Sequence, residues 1–119
     1  MARIVIVSGP PGAGKSTVAR GLAEGAEASR AVHLHTDDFY AYVRKGFVPP
    51  WKPEAQAQNV TIMEALAKAA AVYARDGYEV AVDGIVGPWF LDPWREVSET
   101  LGLDLRYVVL IPSEEESVR

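Results

Sequence analysis

Residues 9–17 of this chain read Gly-Pro-Pro-Gly-Ala-Gly-Lys-Ser-Thr. The stretch matches the phosphate-binding pattern G-x-x-x-x-G-K-[ST], and it directly follows an apolar run at residues 4–7 that predicts a buried first strand. Glycines allow a tight turn in which main-chain NH groups point at a phosphate and the backbone approaches it closely. The stretch therefore predicts a binding loop for a nucleoside triphosphate between a strand and a helix.

The residues of this loop have separate predicted roles. Lys15 supplies a positive charge to the β and γ phosphates, and the hydroxyl of Ser16 is a ligand for Mg²⁺. The helix that follows directs its positive end at the same anion. The predicted nucleotide-binding residues are Gly9, Gly12, Ala13, Gly14, Lys15, Ser16 and Thr17. The alternative for the same residues is an ordinary glycine- and proline-rich turn.

Composition limits the class of protein. Twelve basic and 16 acidic residues give a net charge of -4, and no basic run occurs, so we expect no nucleic-acid partner. The absence of cysteine excludes disulfides and thiol catalysis and fits a reducing compartment. The first apolar segment is too short for a secretion signal, and no stretch approaches the length of a membrane span. We therefore expect a cytoplasmic protein without a membrane partner.

Short apolar runs alternate with helical patterns, which predicts an α/β fold with a parallel sheet. The predicted strands cover residues 4–7, 31–34, 80–82 and 105–111. One helix is predicted over 15–28 and a longer one from Pro53 to the Asp76-Gly77 pair. The expected apolar stripe of the long helix consists of Val60, Met63, Leu66, Ala67, Ala70 and Tyr73. Residues 46–51 predict a loop with large apolar side chains, typical of a segment that covers a ligand.

The whole chain, residues 1–119, is predicted to be one domain. Its last residues include a capping box, Ser-Glu-Glu-Glu at 113–116, which predicts a helix that starts just before the sequence stops. Such a short remainder cannot propagate a helix, so we expect that the chain is a fragment of a longer protein. A frayed terminal turn is the alternative.

Three carboxylates follow predicted strands. Asp37 and Asp38 come after the second strand and Asp83 ends the third, so the parallel sheet should bring them to one edge beside the phosphate loop. We assign Asp37 as the catalytic base and Asp83, with Ser16, to Mg²⁺. As alternatives, Asp37 or Asp38 caps a helix that starts at Phe39, and Asp83 belongs to an ordinary turn.

Other side chains are candidates for substrate binding. Arg44 and Lys45 could meet an anionic substrate or the transferring phosphate, or could simply lie at a solvated helix end. Large aromatic residues in or beside loops could form a pocket wall or pack in the core; these are Trp51, Trp89, Phe90 and Trp94. The candidate substrate residues are Asp38, Tyr40, Arg44 and Trp51.

Two polar features receive structural interpretations. His33 and His35 share one predicted strand face with Asp37, but the sequence offers no third ligand at a spacing typical of zinc sites, so we expect no metal there. They are interpreted as polar residues of a partly exposed edge strand. Asp92, followed by Pro93, is interpreted as a helix N-cap.

Together, the loop at 9–17, the Asp-Asp-Phe-Tyr run at 37–40 and the Val-Ala-Val-Asp-Gly run at 80–84 resemble the P-loop small-molecule kinases of the nucleoside-monophosphate-kinase-like superfamily. The sequence is most similar to an AAA-type ATP-binding kinase group that includes chloramphenicol phosphotransferase and zeta-toxin-like kinases. The Asp-Phe-Tyr run also resembles uridine kinases. The resemblance implies transfer of the γ-phosphate of ATP to a hydroxyl of a small molecule, with Asp37 as base and Thr17 at the α phosphate.

The resemblance also implies a three-layer fold with strand order 2-3-1-4-5. Kinases of this type carry an arginine-bearing lid and a fifth strand after the fourth strand, and this sequence has neither, so we expect the 119-residue chain to bind nucleotide weakly and to transfer phosphate poorly. Two alternatives are weighed. A motor ATPase usually has Asp-Glu where this chain has Asp83-Gly84. A nucleotide-binding regulator would keep the loop but need no base.

Overall fold

A computed structural model describes residues 2–111 of the chain. The capping box at 113–116 lies outside these residues. The strands are β1 (Arg3–Ser8), β2 (Ala31–His35), β3 (Glu79–Asp83) and β4 (Asp104–Val109). The helices are α1 (Lys15–Glu24), α2 (Thr36–Ala41), α3 (Gln56–Arg75) and α4 (Asp92–Leu101), and single 3-10 turns occupy Pro53–Ala55 and Pro88–Phe90.

The four strands form a parallel sheet in the order β2-β3-β1-β4. The predicted α/β class and this order of the four strands are confirmed. Because β1 lies between β3 and β4, the loop that follows it starts in the middle of the carboxyl edge. Open parallel sheets bind their ligands at this edge, next to the point where the strand order reverses.

Helices cover both faces of the sheet. On one face, Ile4, Ile6, Val80 and Val82 belong to the main core cluster with residues of α3 and α4. On the other face, Val5, Val7 and Ala81 pack with Ala19 of α1. The alternation of side chains along each strand thus divides the apolar residues between two helix layers, as a three-layer fold requires.

The helices predicted over 15–28 and from Pro53 exist, but their limits differ. Helix α1 ends at Glu24 rather than near residue 28, because Gly25 takes the C-cap position. The predicted long helix begins with the separate 3-10 turn, and α3 proper starts at Gln56. Val60 and Tyr73 of the expected stripe are 44% and 39% exposed, since the face of α3 that meets the sheet and α4 is rotated toward Ile62 and Ala74.

The expected N-caps are wrong because α2 and α4 each start earlier in the sequence than predicted. Helix α2 starts at Thr36 with His35 as N-cap, so Asp37 and Asp38 both lie in its first turn and make no side-chain cap bond. Asp92 is likewise the first residue of α4, behind the N-cap Leu91. Carboxylates in a first turn still interact favourably with the positive helix end. Within residues 2–111, no helix is both long and apolar enough to span a bilayer.

Candidate functional site

The predicted phosphate loop leaves β1 at the middle of the sheet. Gly9 is buried, and a Cβ atom there would lie 2.7 Å from the main-chain oxygen of Leu110, which restricts the position to glycine. Gly14 has a φ of 83° and is the N-cap of α1, a left-handed conformation that glycine adopts without strain. The loop therefore delivers the chain to the N-terminus of α1, where free NH groups face a prospective anion.

A small cavity of about 240 Å³ lies at this loop and brings several predicted residues together. We call it the loop cavity, and its lining consists of Gly12, Gly14, Lys15, Ser16, Thr17, Asp37 and Asp83. Lys15 is tethered within the loop, since its Nζ donates a hydrogen bond to the oxygen of Pro10 across 3.1 Å. Gly9 and Ala13 are not part of this lining. The loop cavity thus brings together the charge of Lys15, the N-terminus of α1 and the carboxylates of Asp37 and Asp83, which suits a metal-bound triphosphate.

A second cavity, of about 670 Å³, opens beside α2. We call it the α2 cavity; it is lined by Thr36, Asp37, Tyr40, Ala41, Val43, Arg44, Phe47, Pro50 and Ile85. Asp37 lines both this cavity and the loop cavity, whereas Asp38 lines neither. Tyr40 and Arg44, two of the candidate substrate residues, therefore share a cavity with the proposed base.

A third cavity, of about 710 Å³, is lined by several aromatic residues. Trp51, Trp89 and Phe90 line this tryptophan cavity, and Pro50 and Ile85 are common to it and the α2 cavity. Trp51 and Trp89 are 82% and 74% exposed. Trp94, in contrast, is fully buried among residues of the main core, so of its two predicted alternatives the core position is confirmed and the cavity wall is excluded. Its position inside the amphipathic helix α4 accounts for the burial.

The loop at residues 46–51 is fixed to α3 by two polar side chains that sequence reasoning missed. Gln58 accepts a hydrogen bond from the main-chain NH of Val48 at 2.9 Å and donates to its oxygen at 2.7 Å. Asn59 donates to the oxygen of Pro50 at 3.0 Å and accepts from the Tyr40 hydroxyl. A signal was present, because Asn59 lies three residues before Ile62 and is thus a polar residue on the buried face.

Burial raises the pKa of Tyr40 above its ordinary value of 10.0, and the neighbouring charge of Asp37 raises it further. Both causes disfavour the phenolate. Tyr40 therefore stays a neutral hydrogen-bond donor at physiological pH. The proton keeps the bond to Asn59 in place at the wall of the α2 cavity.

The segment after β3 is anchored to the end of β1. The Ser8 hydroxyl donates to the oxygen of Val86 at 3.0 Å and accepts from its NH at 2.9 Å, while the Tyr107 hydroxyl also donates to the Val86 oxygen. Ser8 and Val86 are both buried. These bonds fix residues 84–87, including Ile85 between the two larger cavities, relative to the phosphate loop.

His33 and His35 meet a third potential ligand, so the expectation that none accompanies them is wrong. In the register of β2 and β3, His35 lies beside Asp83 and His33 beside Ala81. The Nε2 of His33 and the Nδ1 of His35 both contact Oδ2 of Asp83. Sequence spacing could not reveal this cluster, because its third member comes from a neighbouring strand about 50 residues further along the chain.

Solved structures resemble this fold. An APS kinase from Mycobacterium tuberculosis, in a cysteine-to-alanine mutant, matches with a TM-score of 0.71 and 25% identity over 92% of this chain and 75% of its own. The crystal structure of APE1195 matches with a TM-score of 0.76 and 26% identity over 99% of this chain and 67% of its own. A sugar kinase from Janibacter sp. shares the fold, with a TM-score of 0.66 and 21% identity over 98% of this chain and 64% of its own.

A search of curated proteins found no match to this chain. The family model described as an AAA domain matches residues 4–119, which is nearly the whole sequence. The sheet order and these structural neighbours agree with the predicted resemblance to P-loop small-molecule kinases. The chain therefore belongs to the AAA domain family and has the fold of a P-loop small-molecule kinase.

Proposed function

We propose that this protein transfers the γ-phosphate of ATP to a hydroxyl group of a small molecule. One observation carries the proposal: Asp37 lies on the wall between two cavities, one lined by the phosphate loop and the other by α2 and the residue 46–51 loop. A base at such a boundary can contact an acceptor hydroxyl on one side while the γ-phosphate approaches from the other. A motor ATPase or a nucleotide-binding regulator would not need the larger α2 cavity.

In this mechanism the phosphate loop binds and orients the nucleotide. Main-chain NH groups of the loop and of the first turn of α1 surround the phosphates, Lys15 neutralises charge on the β and γ groups, and Thr17 contacts the α phosphate. The carboxylate of Asp37 accepts the proton of the acceptor hydroxyl as its oxygen attacks phosphorus. The bond between phosphorus and the β–γ bridging oxygen breaks, and ADP leaves with that oxygen.

The residues of the loop cavity fit a magnesium ion. Ser16 provides a hydroxyl and Asp83 a carboxylate, and hard oxygen ligands of this kind suit Mg²⁺, which commonly keeps several waters. When bound, Mg²⁺ would neutralise charge that develops on the phosphates. Asp83 is buried and fixed at the end of β3, so its carboxylate is held next to the loop with little loss of side-chain entropy.

The α2 cavity is the proposed acceptor site. Its volume of about 670 Å³ is that of a pocket for a small molecule. Phe47 offers a ring face to an acceptor, Arg44 offers a cation to an anionic group, and Tyr40 offers a hydroxyl. Trp51 lines the adjoining tryptophan cavity, which shares Pro50 with the α2 cavity. A structure of the Mycobacterium tuberculosis APS kinase in complex with AMPPNP and APS matches this fold with a TM-score of 0.74, which supports a joint site for nucleotide and small molecule. We propose that the protein described here is located in the cytoplasm, where ATP is abundant.

Substitution of Asp37 tests the proposal, with its neighbour as a matched control. We expect Asp37→Asn to lower kcat for ADP formation, with ATP and a panel of hydroxyl-bearing nucleosides, sugars and antibiotics, by about 10²- to 10⁴-fold, because an amide cannot accept the proton. ATP affinity should persist. Asp38→Asn makes the same chemical change at an exposed position outside both cavities and should leave kcat nearly unchanged. Equal turnover of the two variants would exclude Asp37 as the base.

A further inference from the structure

The cluster of His33, His35 and Asp83 lies on the sheet face that α1 covers. His33 pairs in register with Ala81, and Ala81 packs with Ala19 of α1, so the two histidines share that face by strand alternation. One potential ligand atom from each of the three residues lies within 4.8 Å of the others. These are the only two histidines in the 119-residue sequence. Nucleotide binding and phosphate transfer, as proposed above, use neither of them.

The donor set differs from that of a magnesium site. Two imidazole nitrogens and one carboxylate oxygen suit zinc and its neighbours in the first transition series, whereas Mg²⁺ prefers oxygen ligands alone. Three protein ligands also leave one position of a tetrahedral ion for water. The chemistry of the cluster therefore points to a transition-metal dication.

The spacing of the ligand atoms is close to what such an ion needs. Bonds of about 2.0–2.2 Å place tetrahedral ligand atoms roughly 3.3–3.6 Å apart. The Nδ1 of His35 lies 3.0 Å from Oδ2 of Asp83, and the ring centroids of the two histidines are 4.0 Å apart. Small side-chain rotations would open the cluster around a central ion. All three ligands lie on the adjacent strands β2 and β3, so little backbone order is lost on binding.

Burial and access also suit a bound ion. The side chains of Asp83 and His33 are 9% and 14% exposed, which shields a metal–carboxylate interaction from water. The His35 side chain is 39% exposed and gives a path from solvent. Both histidines contact Oδ2 of Asp83, which leaves Oδ1 for the Mg²⁺ ion proposed above in the loop cavity.

We propose that His33, His35 and Asp83 bind one transition-metal dication with the coordination chemistry of Zn²⁺ or Co²⁺. The ion is held by two imidazoles and a carboxylate, and water completes its coordination. The site does not depend on the identity of the phosphate acceptor or on turnover.

Cobalt chloride is the probe for this site, added to metal-free full chain from which any histidine tag has been removed. We expect one Co²⁺ per chain by calorimetry, the visible absorption of four-coordinate Co²⁺, and a higher Tm in its presence. Excess Mg²⁺ should not displace the ion. Absence of the absorption band and of binding heat at millimolar Co²⁺, or displacement by Mg²⁺, would overturn the proposal.

Single substitutions assign the ligands. His35→Ala removes a partly exposed side chain, so the variant should fold, and it should weaken Co²⁺ binding at least about tenfold, as should His33→Ala. Asp37→Asn is the matched control, because Asp37 lines the same loop cavity as Asp83 but lies outside the cluster; its Co²⁺ affinity should equal that of the wild type. Wild-type affinity in folded His35→Ala, or a loss in Asp37→Asn of similar size, would place the ion elsewhere and refute the proposed ligands.

Discussion

The Tyr40 hydroxyl donates a hydrogen bond to Oδ1 of Asn59 across 2.9 Å, and this bond joins α2 to α3 at the edge of the α2 cavity. The same amide donates to the oxygen of Pro50 in the residue 46–51 loop. One buried side chain thus joins α2, α3 and the residue 46–51 loop, and residues of α2 and of the loop line the proposed acceptor site. The contribution of Asn59 to the stability of the fold can be tested without knowledge of the acceptor.

We expect Asn59→Ala to lower the free energy of unfolding by about 1–3 kcal/mol, because it leaves the Tyr40 hydroxyl and the Pro50 oxygen without their partner. Urea unfolding followed by circular dichroism measures this change. Thr61→Ala on the same helix is the control, since Thr61 is exposed and its hydroxyl bonds only within α3; its effect should be within about 0.5 kcal/mol. Equal stability of the two variants would contradict the bridging role of Asn59.

The raised pKa of Tyr40 predicts that the free energy of unfolding depends on pH in the alkaline range. Burial, and then the charge of Asp37, raise its pKa in the folded state above the value of 10.0 that applies to the unfolded chain. A group that holds its proton more tightly when folded stabilises the fold fully below pH 10, and this contribution is lost as pH rises from 10 through the folded-state pKa. We therefore expect the free energy of unfolding of the wild type to fall over that range.

Tyr40→Phe removes this titration. Its free energy of unfolding should be lower than that of the wild type at neutral pH, where the bond to Asn59 is lost, but should decline less steeply above pH 10. The difference between the ultraviolet titrations of the folded wild type and variant should isolate a phenol that ionises above pH 10. A difference curve with a midpoint below 10 would contradict the raised pKa.

The sequence predicted what depends on contiguous residues. The loop at 9–17 is a local pattern, so its position between β1 and α1 followed directly, and the cavity beside Lys15 and Ser16 agrees with it. The convergence of Asp37 and Asp83 followed from the geometry of parallel strands. Sequence reasoning assigned Asp37 as the base, but it could not show that Asp37 rather than Asp38 lines both cavities, because this depends on the starting residue of α2. One residue of phase on a helix turns a side chain by about 100°.

Features that depend on tertiary pairing were missed. The meeting of His33, His35 and Asp83 requires the register of β2 against β3, which no local pattern encodes. The periodicity of α3 places Asn59 on its buried face, but the irregular loop at residues 46–51 has no pattern that identifies it as the partner of Gln58 and Asn59. Trp94 shows the same limit, because proximity to a loop does not reveal which helix face meets the core.

Nucleotide binding by the phosphate loop is the prediction that precedes any search for acceptors. Isothermal titration of Mg·ATP should give binding that Lys15→Ala weakens at least tenfold, or about 1.4 kcal/mol, because the variant lacks the charge that meets the β and γ phosphates. Lys45→Ala is a matched control: it removes the same charge at an exposed position that lines none of the three cavities described above, and affinity should be unchanged. Equal affinity of the wild type and Lys15→Ala would mean that ATP binds elsewhere. Loss of binding in both variants would point to a general effect of net charge rather than to the loop.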